Sequence, residues 1–178
     1  NVVGKYLSNG LNIVLGTRIA KIEHIDRWRL WNDQGVKIGD FDWVISTAPA
    51  GQSLDILPPS VNFYPDIETV KMKACFSLML GFETALVLEF DAAHVAGADI
   101  SWISVNSSKP GRTDDFSLLV HSTNLWADAH LQDARESVLA YLCRQTSETI
   151  GHDVSDAAHQ SVHGWHFANL EKQIGATH

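Results

Sequence analysis

The sequence predicts an α+β fold: an antiparallel sheet with packed helices, preceded by a short β-meander. Three observations carry this. Phe76, Leu78, Leu80 and Phe82 alternate with Cys75, Ser77, Met79 and Gly81, the period-two pattern of a strand with one apolar face. Val138, Leu139 and Leu142 repeat at helical spacing behind Asp133 and Glu136, a capping-box-like start with Asp in place of Ser or Thr. Short β-rich runs flank Asp33-Gln34-Gly35, which is a hairpin signal.

The elements follow in order. Val2 to Leu11 reads as the end of a helix, stopped by Asn9-Gly10. Leu11 to Leu15 reads as a short strand broken by Gly16, and Thr17 to His24 as a second. Trp28 to Asn32 and Val36 to Ile38 are the two arms of the hairpin. Trp43 to Thr47 is a continuous apolar run, the mark of a strand buried on both faces. Pro49, Pro58, Pro59 and Pro65 then spell an irregular connection, the best place for a domain crossing. Ile67 to Lys73 suits a short helix. Ile100 to Val105 and Phe116 to His121 suit a hairpin with a long tip, Asn106 to Arg112. A helix from Asp133 ends at Gly151, and Val162 to Ala168 reads as a last strand.

Composition narrows the function. The 178 residues can bury one core, or one core and part of another, and 45% hydrophobic with 19% charged residues is ordinary for a globular chain. A net charge of −8 argues against nucleic acid and anionic membrane as partners, since both need concentrated Lys and Arg. No apolar run is long enough to span a bilayer, and the start lacks signal-peptide character. Cys75 and Cys143 have no metal or redox spacing and read as reduced core residues, so the expected location is cytoplasmic.

Several runs in this order resemble the renalase-like branch of the flavin-dependent amine oxidase superfamily. They are Gly10-Leu11-Asn12-Ile13 through Thr17-Arg18-Ile19, Phe41 to Pro49, Ile100 to Arg112, Leu119 to Thr123 with Trp126 and His130-Leu131, and His163 to Ala168. The resemblance covers nearly the whole chain. It implies that residues 1–50 are part of an FAD-binding, Rossmann-like domain (β-meander and return strand) and residues 51–178 a substrate-binding domain. The family's Gly-x-Gly-x-x-Gly loop and its Gly-Asp segment beside the flavin are not in this sequence, and His166 stands where an Arg is expected. The expectation is therefore a fragment: FAD belongs to the full-length protein, and these residues alone are inactive.

The resemblance also implies sites. Ile19, with Thr17 and Arg18, would meet the adenine edge through its backbone; the residues alone spell only a strand. Thr47, Ala48 and Pro49 give small residues at a strand end, suited to a close cofactor or simply to a turn. Asn106, Ser108, Lys109 and Arg112 could clamp an anionic ligand such as dinucleotide phosphates through charge-assisted hydrogen bonds. Yet Pro110-Gly111 also suits a plain type II turn with solvated cations beside it. Trp102 and Trp165 could stack on a planar substrate or serve as core. His163 could shape the pocket or serve as a hydrogen-bonded structural histidine. His159, His163 and His166 do not make a metal site, because His163 and His166 fall on opposite strand faces and no cysteine or carboxylate completes a set.

By resemblance, such enzymes pass a hydride from a dihydronicotinamide dinucleotide to the flavin. That step requires no acid or base from this chain, and no catalytic residue is assigned. Two alternatives stand beside it: an amine-oxidase-like flavoprotein acting on an amine or hydrophobic substrate, and a free-standing, non-catalytic binding module. The expected partner is a small-molecule substrate. A severed meander also exposes sheet edges, which points to homo-oligomer pairing or anomalous packing of residues 1–50.

Overall fold

The structure is a computed structural model and describes residues 2–112 and 115–171. The chain divides into two compact units, Asn1–Val70 and Lys71–His178. The division falls at Val70/Lys71. The proline-marked connection folds with the first unit because it forms two short helices there.

The first unit holds α1 (Val2–Leu7), β1 (Ile19–His24), β2 (Trp28–Asn32), β3 (Lys37–Phe41), α2 (Ala50–Ile56) and α3 (Tyr64–Glu68). The three strands form one antiparallel sheet in the order β1-β2-β3. The β2–β3 turn closes because Asn32 Oδ1 accepts from the amides of Gln34 and Val36 at 3.0 and 2.8 Å. Gly35 supplies the positive φ of +73° that this turn requires. Cross-strand pairs knit the ladder: Arg29 to Asp40 at 2.8 Å, and the Trp31 indole to Glu23 at 2.7 Å.

Three expectations fail in this unit. Leu11 to Leu15 and Trp43 to Thr47 are not strands. Trp43 and Ile45 are 86% and 85% exposed, where a strand buried on both faces was expected. Such a strand exists only between neighbours, and among the described residues the three-stranded sheet offers it none. The third is the helix of Ile67 to Lys73. The helix is α3, starting earlier with Pro65 in its first turn, and the chain is extended again by Met72.

The second unit holds β4 (Met72–Gly81), β5 (Ala92–His94), β6 (Ile100–Val105), a 3-10 turn (Asn106–Ser108), β7 (Ser117–Ser122), α4 (Asn124–His130), α5 (Arg135–Ile150) and β8 (His159–Leu170). The strands make one five-stranded antiparallel sheet in the order β5-β6-β7-β4-β8. The expected β6–β7 hairpin is present. Phe76, Leu78, Leu80, Ile103, Leu118 and Val120 point to one face of the sheet. There they form the core with Trp126 of α4 and with Val138 and Leu142 of α5. At roughly 1.5–3 kcal/mol for each large apolar side chain, this face is the main source of the unit's stability.

Helix ends follow local chemistry. The Thr123 hydroxyl accepts from the Trp126 amide at 3.2 Å and caps α4. The expected Asp133 cap does not form; α5 begins at Arg135 behind Ala134, without a side-chain cap. Gly151, at φ +70°, ends α5 as expected. Among the described residues no helix is long and apolar enough to cross a membrane.

Candidate functional site

Alternation on β4 leaves a second, open face on the five-stranded sheet. Antiparallel register places Ser77 opposite His121 of β7 on one side and opposite His163 of β8 on the other. His121 in turn is opposite Trp102 of β6. The result is a row Trp102–His121–Ser77–His163 across four strands, with Cys75 and Met79 flanking Ser77 along β4.

A hollow of about 670 Å³ lies on this face, bounded by β4, β7 and β8. Its lining includes Cys75, Ser77, Met79, Leu119, His121, His163, Trp165 and Phe167, and among the described residues it carries no Asp, Glu, Lys or Arg. Ser77 and Cys75 are buried. Burial pushes the Cys75 thiol up, against a weaker opposing pull from Ser122, so it is held as an inert thiol. Burial, reinforced by the Lys109 charge, holds His121 below its ordinary value. At neutral pH it is a neutral imidazole, one donor and one acceptor.

The sequence-predicted substrate residues separate into three groups. His163 and Trp165 line the hollow. Trp102 lies beside it in the same row and meets His94 edge-on at 5.1 Å. Asn106, Ser108, Lys109 and Arg112 form the tip beyond β6. There Ser108 donates to the Val105 carbonyl at 2.9 Å and Lys109 Nζ donates to Asn106 Oδ1 at 3.0 Å. Gly111 has φ +72° and the Arg112 amide returns to the Lys109 carbonyl at 3.3 Å, so the tip turns in type II fashion. Asn106 also lines a smaller hollow of about 410 Å³ that shares Met79 and Leu119 with the larger one.

The cofactor candidates lie in the first unit. Thr17 and Arg18 precede β1, and the Arg18 carbonyl accepts from the Asp33 amide at 3.2 Å. Ile19 opens β1, which is an edge strand. Thr47 and Ala48 are exposed before α2, and Pro49 is its N-cap residue. The Ala48 and Pro49 carbonyls accept from Ser53, through its hydroxyl at 3.1 Å and its amide at 2.9 Å.

Sequence reasoning missed Cys75, Ser77, Met79 and His121. The signal was present: the residues alternating with the apolar face of β4 must line its other face.

A family model described as flavin containing amine oxidoreductase matches residues 4–171. This chain belongs to that family. Three solved structures resemble this amine oxidoreductase family member. The first is described as a protoporphyrinogen oxidase from Exiguobacterium sp. 255-15, with 18% identity and TM-score 0.76 over 98% of this chain and 40% of that one. The second is a putrescine oxidase bound to putrescine, with 12% identity and TM-score 0.67 over 90% and 36%. The third is a reduced UDP-galactopyranose mutase, with 11% identity and TM-score 0.68 over 94% and 39%. At these identities the likeness establishes the α+β fold, as expected from the sequence. This member of the family spans 40%, 36% and 39% of the three structures' own lengths.

Proposed function

We propose that this chain is the substrate-binding portion, with part of the cofactor domain, of an FAD-dependent oxidoreductase of the renalase-like branch. Its substrate is a dihydronicotinamide dinucleotide or a close relative. The observation that carries this reading is a lining free of Asp, Glu, Lys and Arg among the described residues, with two imidazoles and an indole on it and Lys109 near enough to act on His121. A cationic amine placed there would lose its hydration without gaining a counter-charge. A neutral dihydropyridine ring carrying a carboxamide loses less, and its phosphates suit Lys109 and Arg112 at the tip.

The flavin, when bound, supplies hydride acceptance. The residues of the first unit fit part of that group. The outer side of β1 has no strand partner among the described residues, so its backbone at Ile19 is open to a planar ring edge. Small, exposed Thr47 and Ala48 allow close approach. The chain's own task is to bind the substrate ring, orient it and exclude water.

Met79, Leu119 and Phe167 on the same face favour a second reading, a hydrophobic planar substrate. Anaerobic addition of substrates to the full-length, flavin-loaded protein separates the readings. Dihydronicotinamide dinucleotide is expected to bleach the flavin band, and an alkyl diamine is expected to leave it unchanged. Bleaching by the diamine alone sinks the proposal. Bleaching by a hydrophobic porphyrinogen, with none by the dinucleotide, favours the second reading.

A further inference from the structure

Trp165 is 53% exposed, yet its one polar atom is already engaged. The indole N–H donates to Ser77 Oγ at 3.0 Å, reaching from β8 to the neighbouring strand. Register pairs Trp165 with Cys75 and His163 with Ser77, so the indole leans diagonally over β4. His163 meets it edge-on, with ring centroids 4.3 Å apart and planes at 69°. Behind it, the Gly164 backbone approaches Phe76 so closely that a Cβ there would lie 2.9 Å from the phenyl ring. The indole is therefore tethered at its nitrogen, buttressed by the His163 ring and set on a strand held against the core. A core tryptophan is covered on both faces, whereas this one is about half exposed and lines the hollow.

We propose that Ser77 is a positioning residue that holds Trp165 as a stacking platform for the planar ring of the substrate, with His121 and His163 as the hydrogen-bonding groups at its rim. This rests on the dihydronicotinamide reading of the same hollow. A tethered indole has given up its side-chain freedom before the ligand arrives, so stacking is not offset by ordering on binding. Stacking tolerates any flat ring; the imidazoles then distinguish a ring that carries an amide from one that does not. Ser77 touches no ligand in this scheme and acts only through Trp165.

The test uses the full-length, flavin-loaded protein and its Trp165→Leu, Trp165→Phe, Ser77→Ala and Ser77→Thr variants. The dihydronicotinamide dinucleotide, added anaerobically to protein whose flavin is already reduced so that no hydride passes, is the calorimetric binding probe, and reduction of the oxidised flavin by the same molecule gives KM and kcat. Trp165→Leu is expected to weaken probe binding on the order of tenfold, and Trp165→Phe, which keeps a ring, by about threefold or less. Ser77→Ala is expected to move the Trp165 indole N–H resonance toward a solvent-bonded position in the ligand-free protein and to lower kcat more than it raises KM. Ser77→Thr restores both. Wild-type binding by Trp165→Leu overturns the proposal, as does an unmoved indole resonance in folded Ser77→Ala. Trp165 is half exposed, so its variants remain informative even where Ser77→Ala fails to fold. Probe binding that depends on Trp165 without any flavin reduction overturns the proposed reaction and leaves the platform standing. Absence of probe binding to the wild type overturns both.

Discussion

His121 sits mid-row on the open face, and burial first, then the Lys109 charge, hold it below its ordinary value of 6.5. The groups facing it are Trp102 from β6, Ser77 from β4 and Lys109 from the tip. The unfolded chain binds this proton more readily than the folded one. The neutral imidazole therefore contributes stability that is fully present above 6.5 and is lost as pH falls through the lower folded value. An NMR titration of the imidazole is expected to give a midpoint below 6.5, and His121→Gln is expected to flatten the acid limb of stability against pH. A midpoint at or above the ordinary value would show that the face is not desolvated there. Lys109→Ala and Arg112→Ala are expected to raise KM for the dinucleotide about tenfold with kcat little changed, since phosphate contacts act equally in ground and transition states. A fall in kcat at constant KM would place these residues elsewhere in the reaction. His163 and Trp165 were legible in the sequence because they stand in a distinctive aromatic run. Ser77 and His121 were not, because a serine and a histidine in alternating strands gain meaning only when register sets them side by side.

The strands show the same contrast. β4, β6 and β7 could be read from the sequence because each shows a face to the core, and burial on one side writes a period of two. Leu11 to Leu15 and Trp43 to Thr47 were misread because an apolar run records hydrophobicity, while a strand also needs a hydrogen-bonding neighbour. The short elements α2, α4 and β5 hold too few residues to display a period. Gly164 is the element-scale test. It lets β8 lie against Phe76, and Gly164→Ala brings a methyl group to 2.9 Å from that ring. Urea unfolding is expected to show a loss of about 1–3 kcal/mol, partly recovered by Phe76→Leu in the same background. A Gly164→Ala protein as stable as the parent would mean that β8 is not held by this contact.

Across the whole chain, burial is uneven. The contiguous apolar core belongs to the second unit, and Ile22 is the one buried large hydrophobic residue described in the first. Native-state hydrogen exchange is expected to protect the amides of β4 and β7 far longer than those of β1 to β3, because opening free energy follows buried contact. Equal protection would show that the first unit has a source of stability beyond the packing described. The connecting helices α2 and α3 belong to the first compact unit, which prolines alone do not reveal: they mark where ladders stop, not which body a connection joins. The α+β architecture itself was legible, being written in strand period and helix spacing. The claim on which the functional account turns is that the open face of the five-stranded sheet receives an uncharged nicotinamide ring. Mapping NMR shifts on the full-length protein with its flavin already reduced, as the dihydronicotinamide dinucleotide is added anaerobically, tests it most directly. The largest shifts are expected at the Trp165 indole, the His121 and His163 rings and the Lys109 amide. Shifts confined to α5 or to the first unit, with the open face silent, would contradict it.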